Sequence, residues 1–116
     1  MKDLRIEKLA RNLLNHSIKL QKGERLLIEI IGTEAVPLGK ELIKQAESIG
    51  AFPFFNIIDY EIMREMLTNC TEEQIQIYAK HDLQRMKDMD AYIGIRASTN
   101  TAELNGISKE KMELYN

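Results

Sequence analysis

Residues 25–31, Arg-Leu-Leu-Ile-Glu-Ile-Ile, form the stretch of sequence that decides the fold. A strand that faces water on one side alternates apolar and polar residues, whereas a strand buried on both faces reads as a short, nearly continuous apolar run. The stretch therefore predicts an interior strand of a parallel sheet, and Gly32 marks its end.

Helical patterns lie on both sides of this strand. Residues 4–20 carry apolar side chains at helical spacing, with Asp3 placed to cap the start and Gly23 beyond the end. A second helical pattern begins near Thr33 and stops at Gly50, and a strand rich in Phe and Ile follows over residues 51–58.

The second half of the chain repeats this alternation. Asp59 is placed to cap a short helix, and the capping box at residues 71–74 predicts a new helix with an inner face of Ile75, Tyr78, Ala79, Met86 and Met89. A third strand is predicted over residues 91–96. A polar loop is predicted over 97–106, and a last helix capped by Ser108 is predicted after it.

Strands separated by helical crossovers pair in parallel, with right-handed connections. The sequence therefore predicts an α/β fold, a three-layer sandwich in which helices flank a small, mainly parallel sheet. We expect residues 1–116 to form a single α/β domain. Because residues 113–116 stop within an unfinished helical pattern, we also expect this domain to be a fragment of a longer protein.

Charge and hydropathy exclude two classes of partner. The chain has 16 Lys and Arg residues against 18 Asp and Glu residues, so it lacks the basic excess of a nucleic-acid-binding protein. Its longest apolar run, at residues 26–31, is far shorter than the roughly 20 residues that cross a bilayer. We expect a cytoplasmic protein that binds neither nucleic acid nor membrane.

Side chains able to perform chemistry are few. His16 and His81 do not belong to any metal-ligand spacing, and Cys70 takes a packing position between two helices. The turn at residues 32–41 resembles a phosphate-binding loop only superficially, since Glu34 brings negative charge to it. The sequence predicts neither a catalytic residue nor a metal ligand in this chain.

The polar loop after the third strand is the one candidate for a ligand site, because open parallel sheets bind ligands beyond the carboxyl ends of their strands. Arg96, Asn100 and Glu103 are the candidates there for lining a substrate path or a domain interface. The alternative is a solvated connection with an ion pair between Arg96 and Glu103.

Several segments, taken in order, resemble the amino-terminal domain of the thermophilic-type metallo-aminopeptidases, peptidase family M29. They are residues 9–17 (Leu-Ala-Arg-Asn-Leu-Leu-Asn-His-Ser), 21–28 (Gln-Lys-Gly-Glu-Arg-Leu-Leu-Ile), 35–38 (Ala-Val-Pro-Leu), 50–53 (Gly-Ala-Phe-Pro), 95–98 (Ile-Arg-Ala-Ser) and 100–101 (Asn-Thr). Each piece is a cap, a turn or a buried strand.

The resemblance implies an enzyme that removes amino-terminal residues from peptides with two divalent metal ions, of the zinc or cobalt type. It places their ligands in a carboxy-terminal catalytic domain, and it implies a homodimer with an enclosed chamber. This chain would then be the amino-terminal fragment of a larger two-domain enzyme. It would be a non-catalytic domain without cofactors that walls or gates the chamber, with the catalytic domain and peptide substrates as partners. The alternative is a stand-alone α/β module that binds a ligand or a protein.

Overall fold

The computed structural model describes residues 3–97 and 102–108, with side chains described for residues 3–96. Eight helical or strand segments precede the last two strands. They are α1 (Leu4–Asn12), a π-helical turn (Leu13–Ser17), β1 (Arg25–Ile31), a 3-10 turn (Thr33–Ala35) leading into α2 (Val36–Ile49), β2 (Phe52–Ile58), α3 (Tyr60–Asn69) and α4 (Glu72–Lys87). The chain then enters β3 (Ala91–Ala97) and β4 (Ala102–Ser108).

The strands form one four-stranded sheet in the order β2-β1-β3-β4. Strand β1 pairs in parallel with β2 on one side and with β3 on the other, while β4 pairs antiparallel with β3. The α/β class and the mainly parallel sheet predicted from the sequence are confirmed.

The prediction of a polar loop is wrong for its second half. Residues 102–108 form β4, so Glu103 belongs to a strand, and Ser108 is its last residue instead of the cap of a helix. Backbone hydrogen bonds to β3 explain the difference, because that pairing joins residues distant in sequence and periodicity along the chain does not reveal it. The rest of the predicted last helix lies outside the described residues.

One face of the sheet is closed by the first two helices. Its buried side chains alternate along β1 and β3 and pack against α1, the π-helical turn and α2. The largest fully buried members of this core are Leu14, Leu26, Ile28, Leu42, Ile93 and Ile95. Gly39 of α2 lies directly on β1, since a Cβ atom there would stand 2.9 Å from Cγ1 of Ile30. The glycine lets the helix approach the sheet closely.

The opposite face is covered much less. Leu27 is buried there against Met89, with Met86 and Tyr92 packed beside them. Neither α3 nor α4 buries any residue completely. The predicted inner face of α4 is therefore wrong for Ile75, Tyr78 and Ala79, all of which are exposed; Ile75 and Tyr78 are 46% and 41% exposed.

The helices lie on opposite faces because the chain reverses direction across the sheet. The connection from β1 to β2 moves one way, and the connection from β2 to β3 passes back over β1. Right-handed crossovers in opposite directions place α2 on one face and the α3–α4 pair on the other. Open sheets of this kind bind ligands beyond the carboxyl ends of the strands at which the direction of the connections reverses, which here are β1 and β3.

Candidate functional site

Arg96 lies near the carboxyl end of β3, on the same face of the sheet as Tyr92. Its Nη1 donates a hydrogen bond to the hydroxyl of Tyr60, 3.0 Å away. Tyr60 is the first residue of α3, whose amino terminus is capped by the Asp59 carboxylate through the backbone N–H groups of Glu61 and Ile62. Arg96 therefore ties the carboxyl edge of the sheet to the start of the second helical layer.

The structure describes one of the other two predicted site residues. Glu103 lies on β4 in register with Arg96, so the two are direct neighbours across the β3–β4 pair. Asn100 lies outside the described residues. Whether these three residues line a substrate path stays a prediction.

A polar cluster that the sequence did not predict lies on the sparsely covered face of the sheet. Glu29 of β1 accepts a hydrogen bond from the Tyr92 hydroxyl, at 2.9 Å from Oε1. The phenol reaches Glu29 across Gly94, which is the register partner of Glu29, and a Cβ atom on Gly94 would stand 2.7 Å from the Tyr92 oxygen. Because Gly94 has no side chain, there is space for the phenol to lie across it.

Electrostatics at this pair favour a protonated phenol. Burial raises the pKa of Tyr92 well above its usual value, and the charge of the Glu29 carboxylate and its hydrogen bond raise it further. Tyr92 is therefore a persistent hydrogen-bond donor to Glu29.

Arg85 of α4 lies above the sheet and bonds to β2, where Asn56 is the register partner of Glu29. Its Nη2 donates to the backbone carbonyl of Phe55 at 3.0 Å, and its Nη1 donates to Oδ1 of Asn56. An open cleft of about 430 Å³ borders these groups. Its lining includes Glu29, Asn56, Tyr78, His81, Asp82 and Arg85.

Large hydrophobic side chains are exposed on several sides of the α3–α4 pair, and together they form what we call its apolar surface. Its members are Ile62 (72% exposed), Leu67 (49%), Ile75 (46%), Ile77 (52%), Tyr78 (41%) and Leu83 (46%). A small, wholly apolar cleft lies between the two helices, bordered by Met63, Met66, Cys70 and Ile75 among others. An apolar surface of this extent is typical of a contact site with other protein.

A metal centre does not fit the donors that the structure describes. Within residues 3–97 and 102–108, no group of three or more His, Cys, Asp or Glu residues could hold a metal ion. His16 and His81 are both exposed, on opposite sides of the sheet, and Cys70 donates weakly to the Leu67 carbonyl. The same described part of the chain also contains no helix that is long and apolar enough to cross a bilayer.

Comparison with known proteins identifies the class to which this fold belongs. The family model for the thermophilic metalloproteases (M29) matches residues 2–116, which is nearly the whole chain. The chain therefore belongs to that family, and the resemblance seen in the sequence is confirmed.

A solved structure is similar as well. Wild-type AmpT from Thermus thermophilus is 25% identical in sequence and superimposes with a TM-score of 0.60, over 82% of this chain and 25% of the AmpT chain. This chain thus spans about a quarter of the length of AmpT. No curated protein matches it.

The polar cluster had a signal in the sequence that is visible only in hindsight. Glu29 interrupts an otherwise apolar interior strand, and a carboxylate in such a position needs a hydrogen-bond donor. Sequence alone does not identify that donor, because Tyr92 lies 63 residues away and reaches Glu29 only through the β1–β3 register.

Proposed function

We propose that this chain is a non-catalytic domain of a metallo-aminopeptidase with two divalent metal ions, where it walls or gates the chamber in which peptides lose their amino-terminal residues. Membership of the metalloprotease family supports the hydrolase. The observation that carries the non-catalytic role is the donor inventory, since the described residues contain no group able to hold a metal ion.

The metal ions, of the zinc or cobalt type, would be held outside this chain by a carboxy-terminal catalytic domain of the same polypeptide. Bound there, they would supply an activated water for peptide hydrolysis. The described residues of this chain do not fit such a centre, and its contribution is structural.

The apolar surface of the α3–α4 pair supports contact between this domain and the remainder of the enzyme. Exposed Ile and Leu side chains lose contact with water when another domain covers them, and each contributes about 1 to 2 kcal/mol when fully covered. The similarity to one quarter of AmpT agrees with such an arrangement. We further propose a homodimeric enzyme with peptide substrates.

The first test compares hydrolysis of amino-acid arylamides by the 116-residue chain and by the longer protein. We expect no turnover by the chain, and turnover by the longer protein that a chelator abolishes and added metal restores. Turnover by the chain that survives a chelator would contradict the non-catalytic role. An inactive, folded and metal-loaded longer protein would contradict the aminopeptidase assignment and favour the stand-alone binding module.

The second test examines the proposed contact surface with two matched substitutions, Ile75→Lys and Leu4→Lys. Both residues are exposed in this chain, but Leu4 begins α1 on the opposite side of the sheet. We expect Ile75→Lys to lower the unfolding temperature of the longer protein by more than that of the 116-residue chain, because only the longer protein would bury position 75 completely. Leu4→Lys should change neither. Equal small effects of both substitutions on the longer protein would refute the contact.

A further inference from the structure

Strand β2 is an edge strand, and two hydrogen bonds fix which of its backbone groups face outward. The Phe52 N–H donates to the Glu24 carbonyl at 2.8 Å, and the Ile58 carbonyl accepts from the Gly32 N–H at 3.0 Å. In a parallel pair, alternate residues direct both backbone groups to the neighbouring strand. Positions 52, 54, 56 and 58 therefore bond to β1, and positions 53, 55 and 57 face away from the sheet.

The composition of β2 makes this outer edge prone to pairing. Residues 52–58, Phe-Pro-Phe-Phe-Asn-Ile-Ile, contain no charged side chain, and five of the seven are Phe or Ile. Phe55 and Ile57 are 52% and 54% exposed. An uncharged, aromatic and β-branched edge strand is a template for pairing with another strand.

Two features occupy the edge. Pro53 has no N–H to donate. Arg85 reaches down from α4, and its Nη2 donates to the outward-facing carbonyl of Phe55 at 3.0 Å. Its Nη1 donates to Asn56, so the guanidinium is held by two acceptors on β2. The guanidinium thus places a positive charge on the middle of the edge.

We propose that Arg85 guards the β2 edge, preventing antiparallel pairing of β2 with the β2 strand of a second copy of this chain. A two-fold pair centred on Phe55 would contain four backbone hydrogen bonds. Two would join the Phe55 residues reciprocally, and two would run from Ile57 N–H groups to Pro53 carbonyls. The two reciprocal Phe55 hydrogen bonds need the Phe55 carbonyl, to which Arg85 already donates. The two-fold axis of the pair would also bring the two Arg85 guanidinium groups together.

A second copy is the partner that these observations favour. Both strands of such a pair are uncharged, so the strands themselves do not repel each other, whereas the two Arg85 charges do oppose the contact. Because Pro53 has no N–H, this pair lacks the two hydrogen bonds that the Ile57 carbonyls would otherwise accept from position 53. Its other four backbone hydrogen bonds are unaffected. The edge is therefore open to self-pairing once Arg85 is removed.

Arg85→Met tests the proposal, because Met keeps the apolar stem of the side chain but has neither the charge nor the donors. Arg85→Lys is the matched control, since Lys keeps a positive charge and a donor. Sedimentation equilibrium of the 116-residue chain over a range of concentrations should show about ten-fold tighter self-association for Arg85→Met, equivalent to about 1.4 kcal/mol, and near wild-type behaviour for Arg85→Lys. Circular dichroism checks that each variant is folded.

Three further measurements identify the edge and keep the proposal testable if Arg85→Met does not fold. Ile57→Lys in the Arg85→Met background should reverse the association, and the Phe55 and Ile57 amides should gain protection from hydrogen exchange in the associated Arg85→Met chain. Asn56→Ala frees the guanidinium from one acceptor without deleting it and should raise association in the same direction. The proposal is overturned if neither Arg85→Met nor Asn56→Ala associates more than wild type, or if the association persists in the Ile57→Lys double variant.

Discussion

Replacing Tyr92 with Phe removes one hydroxyl from the polar cluster and leaves the ring in place. In the wild-type chain this hydroxyl donates to the Glu29 carboxylate at 2.9 Å. A hydrogen bond to a charged group contributes about 1.5 to 3 kcal/mol when well shielded. Because both side chains are only half-buried, we expect a loss of about 1 kcal/mol, which corresponds to about 4 °C in unfolding temperature.

The pH dependence of stability gives this prediction a distinctive signature. The pKa of Tyr92 is raised in the folded chain, by burial first and by Glu29 second, whereas an unfolded chain has the ordinary value near 10. The folded state therefore binds a proton that the unfolded state releases above about pH 10. Its stabilising contribution is fully present below that pH and is lost as the pH rises further.

Urea unfolding at about pH 8 and about pH 10.5 measures both effects. Wild type should lose more stability between these pH values than Tyr92→Phe, which has no phenol at this position to titrate. Tyr78→Phe is the matched control, since Tyr78 is a 41% exposed phenol on α4. If Tyr92→Phe loses as much stability as wild type on going to alkaline pH, the hydrogen bond to Glu29 does not have the assigned role.

Three further predictions follow from other parts of the chain. Gly39→Ala should destabilise the chain by about 1 kcal/mol in urea unfolding, because its Cβ would press on Ile30. Adding Ile30→Val should partly restore stability, and an unchanged midpoint in Gly39→Ala would contradict the close helix–sheet contact. Metal analysis of dialysed, untagged chain should find no stoichiometric transition metal, and one tightly bound zinc or cobalt per chain would refute this. Arg96→Ala in the longer protein should lower catalytic efficiency about ten-fold while leaving the domain folded, since an Arg on a substrate path loses a charge-assisted hydrogen bond. Tyr60→Phe, which removes the acceptor but keeps the guanidinium, should leave catalytic efficiency near wild type, and unchanged kinetics in Arg96→Ala would return Arg96 to a surface role.

The parts of the fold that the sequence predicted are those determined locally. The apolar run of β1 and the helical spacing of α2 indicate their own secondary structure, and α2 ends where Gly50 predicts. The helix cap at Thr71 is also confirmed, since its Oγ1 accepts from the Gln74 N–H at 3.1 Å. In each case the signal and the structure that it specifies lie within one segment.

The parts that the sequence missed depend on pairing between distant segments. Strand β4 contains Gly106 and several polar residues, so its own propensity for a strand is low, and its hydrogen bonds come from β3. The hydrogen bonds from Tyr92 to Glu29 and from Arg85 to Asn56 likewise form only once distant segments are placed on one face of the sheet. The register of the strands supplies this information, and residue spacing does not.

The α3–α4 pair shows where periodicity stops being informative. An apolar stripe on a helix indicates that one side avoids water, but it does not indicate what covers that side. On α2 the cover is the sheet, and Leu42 and Ala46 are fully buried. On α4 the sheet receives only Met86 and the adjoining Met89, while Ile75 keeps nearly half of its surface in water. The stripe on α4 is therefore longer than its contact with the sheet. This agrees with the proposed role of the chain as one domain of a larger peptidase.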